Sequence, residues 1–318
     1  QEPRMTVNVK TGLPMITLLN AAPDTGNQGV SALCHSIVAG LVKRGAENMT
    51  VADHGRGLRR SDWGYTSVNL VGLTNSKRFW RGDNLRTAHA MVRAGGLISA
   101  PARAVTRSRA VLDISGGDSF TDIYGAKRFQ AMALSKRMAL NAEVPLILLP
   151  QKLGPFQDRV NEEEALKILR RSEAVWVRDA QSYDFLQDRL GSGFDPEKHR
   201  LGVDVAVSLP AKEPASITED VRHWISGERE FPLAGLNVSG LLSNNAAGSR
   251  EVFGLADRHD DQIEALARGL LSSDPSLRLL LISHVHKQET HEDSDLASAR
   301  SLVKGLCSIA DGRVRVME

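Results

Sequence analysis

Pro14-Met15-Ile16-Thr17-Leu18-Leu19-Asn20 is short and almost uniformly apolar, and Thr25-Gly26-Asn27-Gln28-Gly29 follows it closely. A run of that kind reads as a strand covered on both faces, as in a parallel sheet. Beyond the glycine turn, Val30, Leu33, Ile37, Val38 and Leu41 recur at helical spacing, which predicts a helix over about Gln28 to Arg44 with Asn27 as its cap. The same order recurs twice. Ala110 to Ile114 runs into Ser115-Gly116-Gly117-Asp118 ahead of a helix from about Ala126 to Asn141. Val144 to Leu149 runs into Pro150-Gln151-Lys152-Leu153-Gly154-Pro155-Phe156. A helix from about Asn161 to Arg171, a strand Ala174 to Arg178, a helix opened by Asp179-Ala-Gln-Ser182 and stopped at Gly191, and a strand near Val203 to Val207 complete this half. Strands alternating with helices specify α/β architecture and a doubly wound parallel sheet.

A chain of 318 residues exceeds one small core, so two domains are expected. The first spans 5–210. A connection at 211–232, bounded by Pro210 and Pro232 and interrupted by Pro214, carries a short helix around Glu219 to Ile225. The second spans 233–318 and repeats the pattern: strand Ala234 to Val238, helix about Asp260 to Ser272, strand Arg278 to Ile282, helix about Leu296 to Ile309, strand Val314 to Val316. Three strands are few for such a domain, which is therefore expected to be short or to continue past Glu318. The expected fold is two Rossmann-like domains.

Hydrophobic content of 42% with 25% charged residues is ordinary for a globular protein and excludes a wholly disordered one. Cys34 and Cys307 lie far apart in predicted helices, a pattern of free thiols in a reducing compartment. No run approaches the roughly 20 apolar residues of a membrane span, and Gln1 to Lys10 lacks the pattern of a signal peptide. The chain is read as cytoplasmic. Between Arg56 and Arg109 stand 11 Lys or Arg residues against Asp62 and Asp83 alone. That segment reads either as a solvated basic face or as a surface for anionic headgroups at the inner membrane or for a diphosphate-bearing acceptor. Nucleic acid is not expected, since no nucleic-acid motif accompanies the charge.

A glycine turn between strand and helix leaves backbone N–H groups at the helix N-terminus, where the helix dipole favours anions. Gly26 and Gly29 lack the dinucleotide fingerprint, and no Walker loop is present. They serve a tight turn or a ligand, with Asn27 and Gln28 as side-chain donors to an oxyanion. Gly116 and Gly117 permit close backbone approach, and Asp118 and Asp122 are a general base, hydroxyl-binding groups or helix caps. Lys152 offers a point charge past a strand end, or is a plain exposed lysine. Arg178 suits two-pronged binding of carboxylate or phosphate, while Asp179 suits a cap. Asp204 interrupts an apolar run, so it needs a partner or faces a site. His284-Val-His286 precedes His291, Asp293 and Asp295, but the spacing matches no metal signature and no metal is expected. His284 is either a proton donor or a hydrogen-bonded structural histidine.

Together these stretches resemble the polysaccharide pyruvyl transferase family. The matching segments are Gly26-Asn-Gln-Gly-Val-Ser-Ala-Leu33, Ser115-Gly-Gly-Asp118 with Asp122 and Gly125, Leu148-Leu-Pro-Gln-Lys-Leu-Gly-Pro-Phe156, Val177-Arg-Asp-Ala-Gln-Ser182 with Leu186, Asp204-Val-Ala206, Gly235-Leu-Asn-Val-Ser239, and Ser283-His-Val285 with Asp295. They follow the family's order over about residues 15 to 295. The resemblance implies a GT-B-like fold with the site in the cleft between domains. It also implies transfer of pyruvyl from phosphoenolpyruvate, a co-substrate rather than a cofactor, onto two hydroxyls of a saccharide or lipid-linked saccharide. Lys152 and Arg178 would then hold the donor with the glycine turns and Gln151. Asp118 or Asp122 would act as base or orient the sugar, and His284 would serve proton transfer. Lys152 stands where the family often has serine, and the family's later Arg-x-His-Ala stretch does not occur through Glu318. A nucleotide-sugar-dependent GT-B glycosyltransferase and a non-catalytic glycan-binding relative are the alternatives.

Overall fold

The computed structural model describes residues 15–212, 217–227, 229–244, 254–255, 258–286 and 294–317. It forms two compact units: the chain up to Asp24 with Ala32–Leu209, and Thr25–Ser31 with the chain from Pro210 onward.

In the first unit the strands are β1 (Met15–Leu19), β2 (Met49–Asp53), β3 (Leu58–Asp62), β4 (Ser67–Gly72), β5 (Ser108–Asp113), β6 (Leu146–Gln151), β7 (Ala174–Val177) and β8 (His199–Leu201). They form one sheet in the order β3-β4-β2-β1-β5-β6-β7-β8. Every neighbouring pair is parallel except β3 with β4. Its helices are α1 (Gln28–Lys43), α2 (Leu85–Met91), α3 (Ala100–Thr106), α4 (Ala126–Asn141), α5 (Arg159–Arg171) and α6 (Ala180–Leu190). Helices α2 to α6 cover one face through Ala88, Val105, Phe129, Met138, Leu169 and Leu186. Helix α1 covers the other with Leu33, Cys34, Ile37 and Val38 against Leu18, Val51 and Ile114. Burial there pushes the Cys34 thiol up to about 12, with Asp24 adding to the shift, so it stays protonated and inert.

Two sequence readings are corrected. Val203 to Val207 is not a strand: β8 is His199–Leu201, and Val205–Ser208 forms a 3-10 turn with Asp204 as its cap. The chain leaves the sheet at Gly202, whose N–H still reaches the Val177 carbonyl at 2.7 Å. Val203 and Val207 are 70% and 76% exposed, and only Val205 and Ala206 between them pack against the core beneath α1. Residues 45–109 also hold β2, β3, β4, α2 and α3, which apolar patterning did not reveal. Strand β3, Leu58-Arg-Arg-Ser-Asp62, is a charged antiparallel edge, and a charged edge guards a sheet against further pairing.

Strand β1 lies between β2 and β5, so the order of strands along the chain reverses beside it. In open α/β sheets such a switch point opens a crevice at the carboxyl ends of the strands. One carboxylate organises that edge. Asp113, fully buried at the end of β5, pairs with the fully buried Lys136 of α4 at 2.8 Å. It accepts from Asn20 Nδ2 past β1 at 2.6 Å, and from Ser115 N–H and Oγ at 3.1 and 3.0 Å. Its carbonyl accepts from Gln151 of β6 at 3.2 Å. Burial pushes the Lys136 ammonium below its ordinary range, and Asp113 opposes the shift.

The second unit has a parallel three-stranded sheet in which β10 (Arg278–Ile282) lies between β9 (Leu233–Asn237) and β11 (Val314–Met317). Its helices are α7 (Glu219–Ile225), α8 (Gly240–Asn244), α9 (His259–Ser273), α10 (Asp295–Gly305) and α11 (Cys307–Ala310). The α7 segment, read from sequence as part of a connection, packs onto this sheet. Trp224 is buried, Arg278 lies 3.7 Å over the Phe231 ring, and Arg315 of β11 pairs with Asp220 at 2.6 Å.

Lys136→Met leaves the Asp113 carboxylate buried without its counter-charge. The first unit should lose about 3–5 kcal/mol in denaturant unfolding, and Asp113→Asn added to Lys136→Met should recover part of it.

Candidate active site

Three successive strand-end turns of the first unit are stitched together. After β5, Ser115, Gly116 and Gly117 all have positive φ, at +48°, +60° and +95°. A serine in that region is strained, and here its N–H and hydroxyl are both held by Asp113. After β6, Lys152 N–H donates to the Gly117 carbonyl at 2.8 Å and Gly154 N–H to that of Phe120 at 3.1 Å. Leu153 N–H meets Ser182 Oγ at 2.9 Å, and Ser182 N–H is capped by Asp179. After β7, Arg178 N–H donates to the Gln151 carbonyl at 3.2 Å. The backbone thus brings Gly117, Asp118, Lys152 and Arg178 to one edge.

The expectation that the Gly116-Gly117 turn offers its amides to a ligand is corrected. Gly116 N–H donates to the Asn20 carbonyl at 2.7 Å and Gly117 N–H to that of Ile114 at 2.8 Å, while Asp118 N–H reaches Ser115. Gly117 has a different use. A Cβ there would lie 3.0 Å from Arg178 Nη1 and 3.1 Å from Leu33 Cδ1, so its bare Cα seats the guanidinium. Arg178 pairs through Nη1 with Asp204, which answers the sequence question about Asp204: it is paired. Both side chains are partly exposed, at 27% and 31%. Lys152 is half-buried.

Asp118 accepts from the Tyr124 hydroxyl at 2.9 Å. Arg128 lies 5.0 Å over the Tyr124 ring and donates to Ser119 at 2.8 Å. Burial, then the Asp118 charge and its hydrogen bond, push the Tyr124 phenol up to about 12, with Arg128 and Arg178 opposing. Tyr124 therefore remains a neutral donor that orients the carboxylate. Asp122, expected as a catalytic carboxylate, anchors α5 instead. It accepts from Gln157 N–H, Asp158 N–H and Asn161 Nδ2 at 2.8, 2.9 and 3.0 Å. Burial raises its carboxyl, but those hydrogen bonds outweigh it and hold the group below the usual carboxylate range. Gln151, expected at the substrate, is fully buried and braces the Asp113 and Leu149 carbonyls. Among the described residues its Oε1 has no partner.

Residues 25–31 group with the second unit, where they meet the segment after β10. Gln28 N–H donates to the His284 carbonyl at 3.0 Å, and His286 N–H to that of Gly26 at 2.7 Å. Asn27 Oδ1 accepts from Val30 N–H at 3.2 Å, the expected capping contact, and Asn27 also bridges to Val285. The buried Asp295 accepts from the N–H groups of Gly240, His284 and Val285. His284 is exposed, and a Cβ at Gly29 would lie 2.8 Å from its Nε2. Gly26, Asn27 and Gln28 thus pack against the segment after β10, and Gly29 makes room for the imidazole. His291 and Asp293 lie outside the described residues.

Sequence reading passed over Asp113, Lys136, Tyr124 and Arg128. Asp113 carries the signal that singled out Asp204, a carboxylate inside an apolar run. Lys136 sits at helical spacing from Phe129, Ala133 and Leu140, where a lone cation on an apolar face requires a buried partner.

The architecture is that of GT-B-like α/β proteins. The UDP co-structure of S. aureus MnaA is 11% identical with TM-score 0.51, covering 96% of this chain and 69% of that one. A UDP-N-acetylglucosamine 2-epimerase is 10% identical with TM-score 0.53, covering 96% and 68%. At that identity the likeness concerns fold alone. The family model for polysaccharide pyruvyl transferase matches residues 56–312, and the chain belongs to that family. Among the described residues no helix is long and apolar enough to cross a membrane.

Tyr124 should ionise near pH 12 in an ultraviolet titration, and Tyr124→Phe should remove that phase. Because its folded value is raised above the ordinary 10.0, the stability it contributes is complete below pH 10 and lost as pH climbs to about 12.

Proposed function

We propose that this chain transfers a pyruvyl group from phosphoenolpyruvate to two hydroxyls of a saccharide, free or lipid-linked, forming a cyclic ketal in a cell-surface polysaccharide precursor. On this reading it works in the cytoplasm. The observation that carries the reading is Arg178 seated on Gly117 with Lys152 on the adjoining turn, in a chain of this family.

The donor carries a phosphate and a carboxylate. A guanidinium fork matches either group in two-pronged fashion, and an ammonium adds a point charge. Asp204 already holds Arg178 with a carboxylate, so the donor would exchange one anion for another. Chemistry begins with a proton delivered to the methylene carbon, leaving an oxocarbenium at the neighbouring carbon. One sugar hydroxyl adds there and yields its proton to a base. The carbon–oxygen bond to phosphate breaks, and the second hydroxyl closes the ring while its proton passes to the departing phosphate, giving ketal and inorganic phosphate. Asp118, oriented by Tyr124, is the base or holds the sugar hydroxyl. His284 is assigned to proton transfer, and Asp122 and Gln151 act by positioning.

Phosphate release from phosphoenolpyruvate with a hexosamine or galactosyl acceptor, without nucleotide, is the test. Arg178→Ala should lower kcat/KM by roughly 10²–10³-fold, the scale of losing a charged donor at a reacting anion, whereas Asp204→Asn should retain turnover. Unchanged kinetics in Arg178→Ala would remove that residue. Turnover that instead requires a nucleotide sugar would replace the reading with glycosyl transfer.

A further inference from the structure

We propose that the loops at 76–84 and 95–99 of the first unit form a docking surface for an anionic lipid bilayer. The proposal deepens the functional reading and rests on it only for the lipid-linked acceptor such a surface would meet.

Phe79, Trp80, Leu97 and Ile98 are 67%, 71%, 77% and 68% exposed. The rings of Phe79 and Trp80 meet edge to face at 5.5 Å. These tips stand on pinned backbone. Ser99 Oγ donates to the Gly82 carbonyl at 2.6 Å, and a Cβ at Gly82 would lie 2.4 Å from the Ile98 carbonyl oxygen. Arg103 Nη1 donates to the carbonyls of Gly96 and Leu97 at 3.0 and 2.7 Å, and Asn84 Nδ2 to that of Ser76 at 2.7 Å. Four apolar side chains are thereby held out in water by two loops fastened to each other.

Trp80 and Ile98 share a groove of about 590 Å³ with Arg56, Arg78, Arg81 and Arg103. The two acids of the 56–109 segment are engaged locally, Asp83 with Arg81 and Asp62 with Gly64 N–H. Arg56, Lys77, Arg78 and Arg86 are exposed. Aromatic and aliphatic tips ringed by cations match the headgroup region of a bilayer: the rings enter the acyl boundary while the guanidinium groups stay with lipid phosphates. Charge decides for an anionic bilayer over a second copy of this chain, because two copies of this face would set arginine against arginine.

Vesicle binding needs neither phosphoenolpyruvate nor acceptor, so its outcome is separate from that of the transferase assay. The chain should bind phosphatidylcholine vesicles containing phosphatidylglycerol and lose about tenfold or more on pure phosphatidylcholine or at high salt. Brominated acyl chains should quench fluorescence, and Trp80→Phe should abolish that quenching, although Trp63, Trp176 and Trp224 remain. The pair Phe79→Ser with Trp80→Ser, and separately Arg56→Glu with Arg78→Glu, should each weaken binding about tenfold without altering the unfolding transition. Absence of binding at low salt, quenching that persists in Trp80→Phe, or salt-sensitive binding indifferent to the apolar pair would each overturn the proposal. So would self-association removed by the apolar pair in a chain that ignores vesicles.

Discussion

A carboxylate and an ammonium with no access to water, Asp113 and Lys136, govern the carboxyl edge of the large sheet. Removing two charges from water is costly, and their attraction offsets that cost only when the remaining hydrogen-bonding capacity is met. Here it is met by groups from different elements: Asn20 beyond β1, Ser115 in the turn after β5, and the Phe120 ring 4.3 Å from Lys136 Nζ. The pair therefore fixes more than itself. It holds Ser115 at a φ that serine avoids, and Ser115 sets the path of Gly116 and Gly117. That path decides where the Arg178 guanidinium can rest.

The glycines at this edge act through the space they leave rather than through their amides. Each N–H of the Ser115-Gly116-Gly117-Asp118 turn has a partner within the protein, so the turn presents no row of open donors to an anion. Positive charge reaches the edge instead on side chains, Arg178 over Gly117 and Lys152 on the adjoining turn. A similar economy operates in the second unit, where Gly29 leaves room for the His284 imidazole. In both places the missing Cβ positions a titratable or charged group.

Strand and helix order was legible where apolar residues formed a compact run or recurred at helical spacing. Met15–Leu19, Ala126–Asn141 and Arg278–Ile282 follow directly from their patterns. The region at 45–109 was not legible, because an edge strand such as Leu58–Asp62 alternates charge with exposure and carries no core face to detect. Val203 to Val207 misled for the opposite reason: the composition of a strand is present without a neighbour to pair. Among the candidate site residues, Arg178, Lys152 and Asp118 stand out in the sequence as polar groups just past strand ends. Asp122 and Gln151 share that placement, and only three-dimensional partners separate them. Asn161 with two backbone amides takes up one, and the Asp113 and Leu149 carbonyls take up the other.

The Arg178–Asp204 pair links this architecture to the proposed chemistry. A lone guanidinium poised for a dianion would repel its cationic neighbours and burden the resting fold; a carboxylate partner removes that burden. Because both partners are partly exposed, their attraction is screened by water and modest, so a ligand bearing two anionic groups can displace a carboxylate bearing one. Asp204 is suited to yield. It caps a short 3-10 turn through its other oxygen, Ala206 N–H to Oδ1 at 2.8 Å, and that contact does not depend on Arg178. An arginine with a dispensable partner, seated on a glycine whose path is fixed from behind by a buried charge pair, is held ready without being locked.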